Sequence, residues 1–306
     1  MTTFADRVQS VIEKTKSHLI AGCDPVLDAL PSFLVNDAEK HSKTDAELVE
    51  RALVQFSEIF LAAVSGRVAA IKPNIAFFEQ YGLPGLTAFS RLCAAAREQG
   101  LPVVIDAKRG DIGSTAAAYS AAFLRGVSVR GKTFHAFEGD ALTINPFLGF
   151  DTLEPFLNDA QSCGKGLFIL VQTSNPGAKA IQGLVAEGCS VSDHIARWIA
   201  THAEKLAGRC GWSGLGAVVG ASYPDEARHL RETMPTSFFL IPGFGAQGAD
   251  AKDSVAGFGT RAGKRGGALV NVSRGLLQGP AGSAEELVGV IAGNADRFNS
   301  QILSSL

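Results

Sequence analysis

The chain has 306 residues, 46% of them hydrophobic, and a formal net charge of -2. That is enough apolar material for a sizeable core, and the near-neutral balance offers no broad basic field to nucleic acid. No uncharged apolar run reaches the roughly 20 residues of a membrane-spanning helix, so neither a nucleic acid nor a membrane is expected as a partner.

The five cysteines, Cys23, Cys93, Cys163, Cys189 and Cys210, are scattered. Their spacing fits neither a disulfide framework nor a zinc knuckle, and they read as small hydrophobes in a reducing compartment. The first residues carry Asp6, Arg7, Glu13 and Lys14 without a secretory apolar run, so a cytoplasmic location is expected. The six histidines form no ligand motif, and no metal is expected.

In chain order, short apolar runs alternate with longer amphipathic segments. The strand HLIAGCD, His18 to Asp24, is followed by a polar excursion, Asn36 to Asp45, and a helix near Ala46 to Val64. RVAAIKPN is the second strand, with a helix over Leu83 to Gln99 that stops before Gly100. LPVVIDAK is the third, followed by the alanine-rich helix Ile112 to Leu124. DALTINP and a helix near Thr152 to Asp159 make a fourth unit, and GLFILVQTS with Val191 to Leu206 a fifth. GLGAVVG precedes Pro224 to Glu232; SFFLIPG precedes a short helix near Ala249 to Ala256; GGALVNVSRG precedes a closing helix, Ala284 to Leu306.

Eight strand–helix units predict a (β/α)8 barrel, an α/β fold, over residues 1–306 as a single domain. Loop insertions are expected near 25–45 and 177–190. An open doubly wound sheet is the rival architecture. The apolar runs end in Asp24, Lys72, Asp106, Asn145, Ser174, Gly220, Gly243 and Ser273. A barrel gathers such strand ends on one face, where sites of this fold lie.

The densest chemistry is PVVIDAKRGDIGST, Pro102 to Thr115, in which Asp106, Lys108 and Asp111 follow directly on a buried strand. Charges there are costly to desolvate unless paired, and they point to chemistry more than to packing. In a regular strand Asp106 and Lys108 share a face. Asp111 lies at the loop-to-helix junction, where capping the helix is its plain structural role. Lys72 ends another strand. A lysine between carboxylates is an acid or an electrostatic anchor, not the neutral amine a Schiff base needs.

After the seventh strand, IPGFGAQGAD supplies Gly243, Gly245 and Gly248 for close backbone approach and Gln247 as an amide donor. Arg274 follows the eighth strand with a fork suited to phosphate oxygens. Phosphate sites of (β/α)8 barrels often lie between these two loops.

With these pieces in place, the chain resembles the orotidine 5'-phosphate decarboxylase family. The resemblance rests on DAKRGDIGST, IKPN, CDP, TSNPG, PGFGAQG and the later SRG, in that order over most of the chain. KPNIAFFE and QTSNPG resemble the longer bacterial (type 2) branch. The resemblance implies conversion of orotidine 5'-phosphate to uridine 5'-phosphate and carbon dioxide, with no cofactor. It implies Lys108 as proton donor to C6, Asp106 facing the substrate carboxylate, and Lys72 beside Asp106 near the ribose. It implies Asp24 on a ribose hydroxyl, and Thr173 or Ser174 reading the base. Gln247 and Arg274 would hold the phosphate. A homodimer is implied, with Asp111 and Thr115 crossing to the partner's site. The competing readings are a Schiff-base aldolase or a magnesium-dependent decarboxylase on the same barrel, or a nucleotide-binding protein without catalysis.

Some conspicuous residues have ordinary readings. Phe77 and Phe78 are expected to pack, Trp212 to be partly buried in a turn, Arg109 to point away from Lys108, and Arg261, Lys264 and Arg265 to form a solvated loop.

Overall fold

Eight runs of alternating inward and outward side chains become the parallel strands of a barrel. They are β1 (Leu19–Cys23), β2 (Ala70–Pro73), β3 (Val104–Arg109), β4 (Ala141–Ile144), β5 (Gly166–Gln172), β6 (Ser213–Val219), β7 (Ser237–Ile241) and β8 (Ala268–Val272). The computed structural model describes residues 2–245 and 250–306. The sheet runs β2-β1-β8-β7-β6-β5-β4-β3, all parallel. Parallel bridges Ile71–Val103 and Asn74–Asp106 bring β2 against β3 and close the ring. The (β/α)8 barrel expected from the strand count is the observed fold.

Strand parity divides the core in two. Outward residues such as Leu19, Ile71, Ile105, Leu142, Ile169, Ala217, Phe239 and Val270 pack against the surrounding helices in the larger apolar cluster. Inward residues Ile20, Ala70, Val104, Ala141, Phe168, Phe238 and Leu269 fill the lumen. The lumen is plugged from the strands' N-terminal end by the helix Phe4–Thr15, whose Phe4, Ala5, Val8 and Ile12 join the same cluster. This helix is missing from the sequence reading, although its apolar residues recur at helical spacing. Trp212 belongs to this plug and is 4% exposed, more buried than a turn residue was expected to be.

Arg231 is also buried on this side, without a carboxylate partner among the described residues. Its guanidinium donates to the carbonyls of Gly257, Met234, Ser237 and Gly267 at 2.7–2.9 Å and lies over the Phe239 ring. Arg261 lies over Trp212, and its hairpin, Gly259–Arg261 with Lys264–Gly266, precedes β8. That places the Arg261, Lys264, Arg265 group before β8, whereas Arg274 follows it.

The helices follow the expected order, with shifted ends. Asp45–Val64, Gly82–Glu98, Pro224–Thr233 and Ala284–Ser305 differ from expectation by a residue or two. The alanine-rich helix runs Gly113–Ser120 and then widens to a π turn over Ala121–Arg125. The polar excursion before Asp45 contains a helix, Ser32–Lys40, that buries Leu34 and Ala38. The 177–190 segment holds a short helix, Lys179–Gln182, and a small hairpin, Val185–Ala186 with Cys189–Ser190. A second hairpin, Val127–Val129 with Lys132–Phe134, also went unread. No helix among the described residues is long and apolar enough to cross a membrane.

Candidate active site

Two residues beyond the lumen-filling layer, the same inward parity brings up Lys72 on β2, Asp106 on β3, Thr143 on β4, Leu170 on β5, Val218 on β6, Leu240 on β7 and Asn271 on β8. All seven line one cavity of about 420 Å³, together with Lys108, Thr173, Ser174 and Pro242. One wall, from β2 to β4, is charged and polar; the opposite wall, from β5 to β7, is aliphatic. A flat, partly apolar ring fits such a slot.

Asp106 is the centre of the polar wall. Its Oδ2 accepts from Lys72 Nζ at 2.8 Å and its Oδ1 from Lys108 Nζ at 2.6 Å. Thr143 Oγ1 donates to the same Oδ1 at 3.0 Å. Burial alone would favour the neutral acid, but the Lys72 and Lys108 cations hold the Asp106 carboxyl well below the usual carboxylate range. Burial likewise opposes charge on Lys72, yet the Asp106 and Asp24 carboxylates raise its pKa above the ordinary lysine value. Lys72 is nearly enclosed, whereas 48% of the Lys108 side chain is exposed to the cavity and solvent. Lys108 is therefore the cation that an incoming ligand can meet.

Lys108 does not reach Asp106 by regular strand geometry. The β3–β4 register slips between Ile105 and Arg109, and Lys108 adopts φ 48°, the left-handed region that L side chains avoid. Such a conformation costs about 1–3 kcal/mol and persists only where its surroundings impose it. Here Thr143 imposes it: its Oγ1 accepts from the backbone N–H groups of both Ala107 (3.0 Å) and Lys108 (2.9 Å). The expected pairing of Asp106 and Lys108 holds, but through a bulge.

A second cavity, about 170 Å³, adjoins the first and shares Lys72, Pro242 and Asn271 with it. It is lined further by Asp24, Gly243, Phe244, Ser273 and Arg274. The buried oxygens Asp24 Oδ1 and Asn271 Oδ1 have no hydrogen-bond partner among the described residues, which leaves two acceptors for a ligand's hydroxyl groups. Gly22 is required behind this end, because a Cβ there would stand 1.8 Å from Ser273 Oγ.

Of the residues singled out in the sequence, Lys72, Asp106, Lys108, Thr173 and Ser174 meet in the larger cavity, and Asp24 and Arg274 in the adjoining one. Gln247 lies outside the described residues. Asp111 and Thr115 line neither cavity. Asp111 does not cap the following helix; among the described residues its Oδ1 accepts only from the adjacent Ile112 N–H, at 2.7 Å. Arg109 turns away from Lys108 as expected, pairs with Glu79 and lies over Tyr119 and Phe123. Phe78 is buried against Phe89, as the packing reading held.

Three residues that line the larger cavity escaped the sequence reading: Thr143, Asn271 and Gln182. Thr143 was overshadowed by Asn145, whose Oδ1 merely accepts from Phe147 N–H in a local turn. A polar residue at inward parity inside an apolar run was the available signal for Thr143 and for Asn271.

Comparison with known proteins shows the family. A model of the Orotidine 5'-phosphate decarboxylase / HUMPS family matches residues 55–287. The orotidine 5'-phosphate decarboxylase of Deinococcus radiodurans is 46% identical over 286 residues, covering 92% of this chain and 94% of the relative. That of Caldicellulosiruptor bescii is 38% identical over 253 residues, 83% of each chain. The solved structure of Leishmania donovani OMP decarboxylase superposes with a TM-score of 0.71 at 28% identity, covering 99% of this chain and 98% of the other. A family match across three quarters of the chain, carried by a barrel whose strand ends converge on Asp106, places this protein in the orotidine 5'-phosphate decarboxylase family.

Proposed function

We propose that this enzyme removes carbon dioxide from orotidine 5'-phosphate by stabilising negative charge at C6 of the pyrimidine and protonating that carbon from Lys108. The overall reaction, orotidine 5'-phosphate to uridine 5'-phosphate and carbon dioxide, follows from family membership. The observation that carries the mechanism is the Lys72–Asp106–Lys108 array, with contacts of 2.8 and 2.6 Å at the mouth of the barrel.

The chemistry asks for such an array. When the bond between C6 and the carboxylate breaks, its electron pair stays on C6, and the ring has no useful neighbouring electron sink. A fixed ammonium aimed at that carbon lowers the barrier as charge develops, then transfers its proton. Carbon dioxide leaves, and the lysine regains a proton from water. Asp106 holds the ammonium in place and faces the departing carboxylate. In this reading protein side chains supply all the charge stabilisation, with no cofactor. Engagement of both lysines by Asp106 speaks against a Schiff-base aldolase, which needs a free neutral amine.

The remaining roles follow the two cavities. The pyrimidine lies against Leu170, Val218 and Leu240, with Ser174 at its edge. The ribose lies by Lys72, Asp24 and Asn271. The phosphate lies by Arg274 with the loop that carries Gln247. Because the phosphate is remote from the reacting bond, its binding energy can organise the loops around the site.

Asp111 and Thr115 are assigned to the neighbouring subunit's site in a homodimer. Supporting this, Ile112, Phe147 and Leu148 are 62%, 76% and 50% exposed in the loops after β3 and β4, an apolar group suited to burial by a second copy. The helix Ser32–Lys40 and the 177–190 segment fit insertions of the longer bacterial branch. Five unpaired cysteines suit a cytoplasmic setting.

Adding the purified protein to orotidine 5'-phosphate, without cofactor, should abolish the orotate-type ultraviolet absorbance and release one equivalent of carbon dioxide. Unchanged absorbance with a folded, ligand-binding protein would refute the reading.

A further inference from the structure

We propose that Gln182, in the segment inserted after β5, positions the base-reading edge of the site, where the decarboxylase reading already places Ser174, by clamping Thr173. The inference rests on the decarboxylase reading above, since the ring to be oriented is the orotidylate base.

Residues 176–190 are mostly exposed, with Ala178 and Gln182 turned inward one helical turn apart. The Gln182 amide makes two bonds to one residue: Oε1 accepts from Thr173 N–H at 2.9 Å, and Nε2 donates to Thr173 Oγ1 at 2.8 Å. Thr173 Oγ1 in turn donates to Asn175 Oδ1 at 2.7 Å. A threonine hydroxyl has one proton, and this one is committed to Asn175. Thr173 is thus occupied at its N–H and at its hydroxyl by its own loop.

Ser174 is placed differently. It lines the same cavity as Lys108, and its hydroxyl has no hydrogen-bond partner among the described residues. Its backbone is backed by Gly220 at the end of β6, where an added Cβ would stand about 3.0 Å from Ser174 N and Cβ. Clamped through Thr173 on one side and backed by Gly220 on the other, Ser174 can donate to and accept from the amide edge of a pyrimidine. Gln182 also borders the cavity, but its Oε1 and Nε2 are both engaged with Thr173, so it acts through Thr173 as a positioning residue. The inserted segment thereby serves base selection.

Calorimetry on the full-length protein reads this without turnover, using uridine 5'-phosphate and ribose 5-phosphate, which share all but the base. Gln182→Ala and Gln182→Met should weaken uridine 5'-phosphate about tenfold, as expected for loss of one ordered hydrogen bond, and leave ribose 5-phosphate within about twofold. Thr173→Val should give a similar base-specific loss, and the Gln182→Ala/Thr173→Val double variant should lose no more than the worse single variant. Melting temperatures within about 2 °C of wild type would show the barrel intact.

Equal losses for both ligands would overturn the proposal, because they would mean general collapse of the loop. Undiminished uridine 5'-phosphate binding, or additive losses in the double variant, would overturn it too. A wild-type protein that binds both ligands alike would leave no base recognition to position and would also overturn it. Failure of the decarboxylase reading shows separately, as wild-type protein that does not consume orotidine 5'-phosphate.

Discussion

The hydroxyl of Thr143 accepts the backbone N–H of Lys108 at 2.9 Å and so holds a left-handed lysine, φ 48°, at the mouth of the barrel. The same oxygen accepts the Ala107 N–H and donates to Asp106. One residue of β4 therefore sets both the backbone and the carboxylate of the neighbouring strand. Thr143→Val, which keeps the shape and removes the hydroxyl, strands two partly buried N–H groups. It should destabilise the protein by about 2–4 kcal/mol and lower kcat by one to two powers of ten, about 1.4–2.7 kcal/mol of barrier. Denaturant melts and steady-state rates check this; wild-type kcat would show that Lys108 keeps its place without Thr143.

Lys108→Ala removes the proposed proton donor while leaving Lys72 on Asp106. Turnover should fall by at least four powers of ten, about 5 kcal/mol or more of barrier, while uridine 5'-phosphate still binds through its ribose and phosphate. Single-turnover rates and calorimetry separate the two effects. A variant with near-wild-type kcat would end the proton-donor role.

Asp106 makes stability depend on acid. Its carboxyl is held far below the unfolded value of about 3.9, so its contribution is complete above that pH and is lost as pH falls through the folded value. Lys72 is the opposite case: its raised pKa gives a contribution present below about 10.4 and lost as pH rises through the folded value. Asp106→Asn leaves Lys72, 5% exposed, without its paired carboxylate, at a cost of about 3–5 kcal/mol near neutrality. Melting temperature measured against pH should fall more steeply below pH 4 for wild type than for Asp106→Asn. Parallel curves would show that another group governs the acid limb.

Arg274→Ala removes the guanidinium from the smaller cavity. The KM for orotidine 5'-phosphate should rise by two or three powers of ten, about 3–4 kcal/mol. The same substitution should matter little for orotidine lacking the phosphate. An unchanged kcat/KM for the phosphorylated substrate would remove Arg274 from the phosphate end.

Sharing of the site between subunits is tested by mixing. Lys108→Ala and Asp111→Ala homodimers should each be nearly inactive. Heterodimers refolded from the mixture should regain one intact site, and up to about one quarter of wild-type activity if subunits pair at random. Heterodimers verified by mass that stay inactive would refute the crossing of Asp111.

The sequence by itself determined the eight-strand rhythm, the face on which chemistry gathers, and most of the charged array. Alternation of apolar and polar residues is a local signal, and lysine or aspartate after a buried run is conspicuous because desolvation makes it costly. It also carried the helix Phe4–Thr15, unread because no strand preceded it. Tertiary structure alone decided how Lys108 meets Asp106: a regular strand was expected, and a bulge imposed by Thr143 from the next strand is found. It alone revealed that Thr173 is held within its own loop, since that contact depends on a glutamine nine residues away folding back onto it. Hydrogen bonds between elements depend on register and on loop path. Those are set by the packing of the whole barrel and leave no periodic trace in the chain.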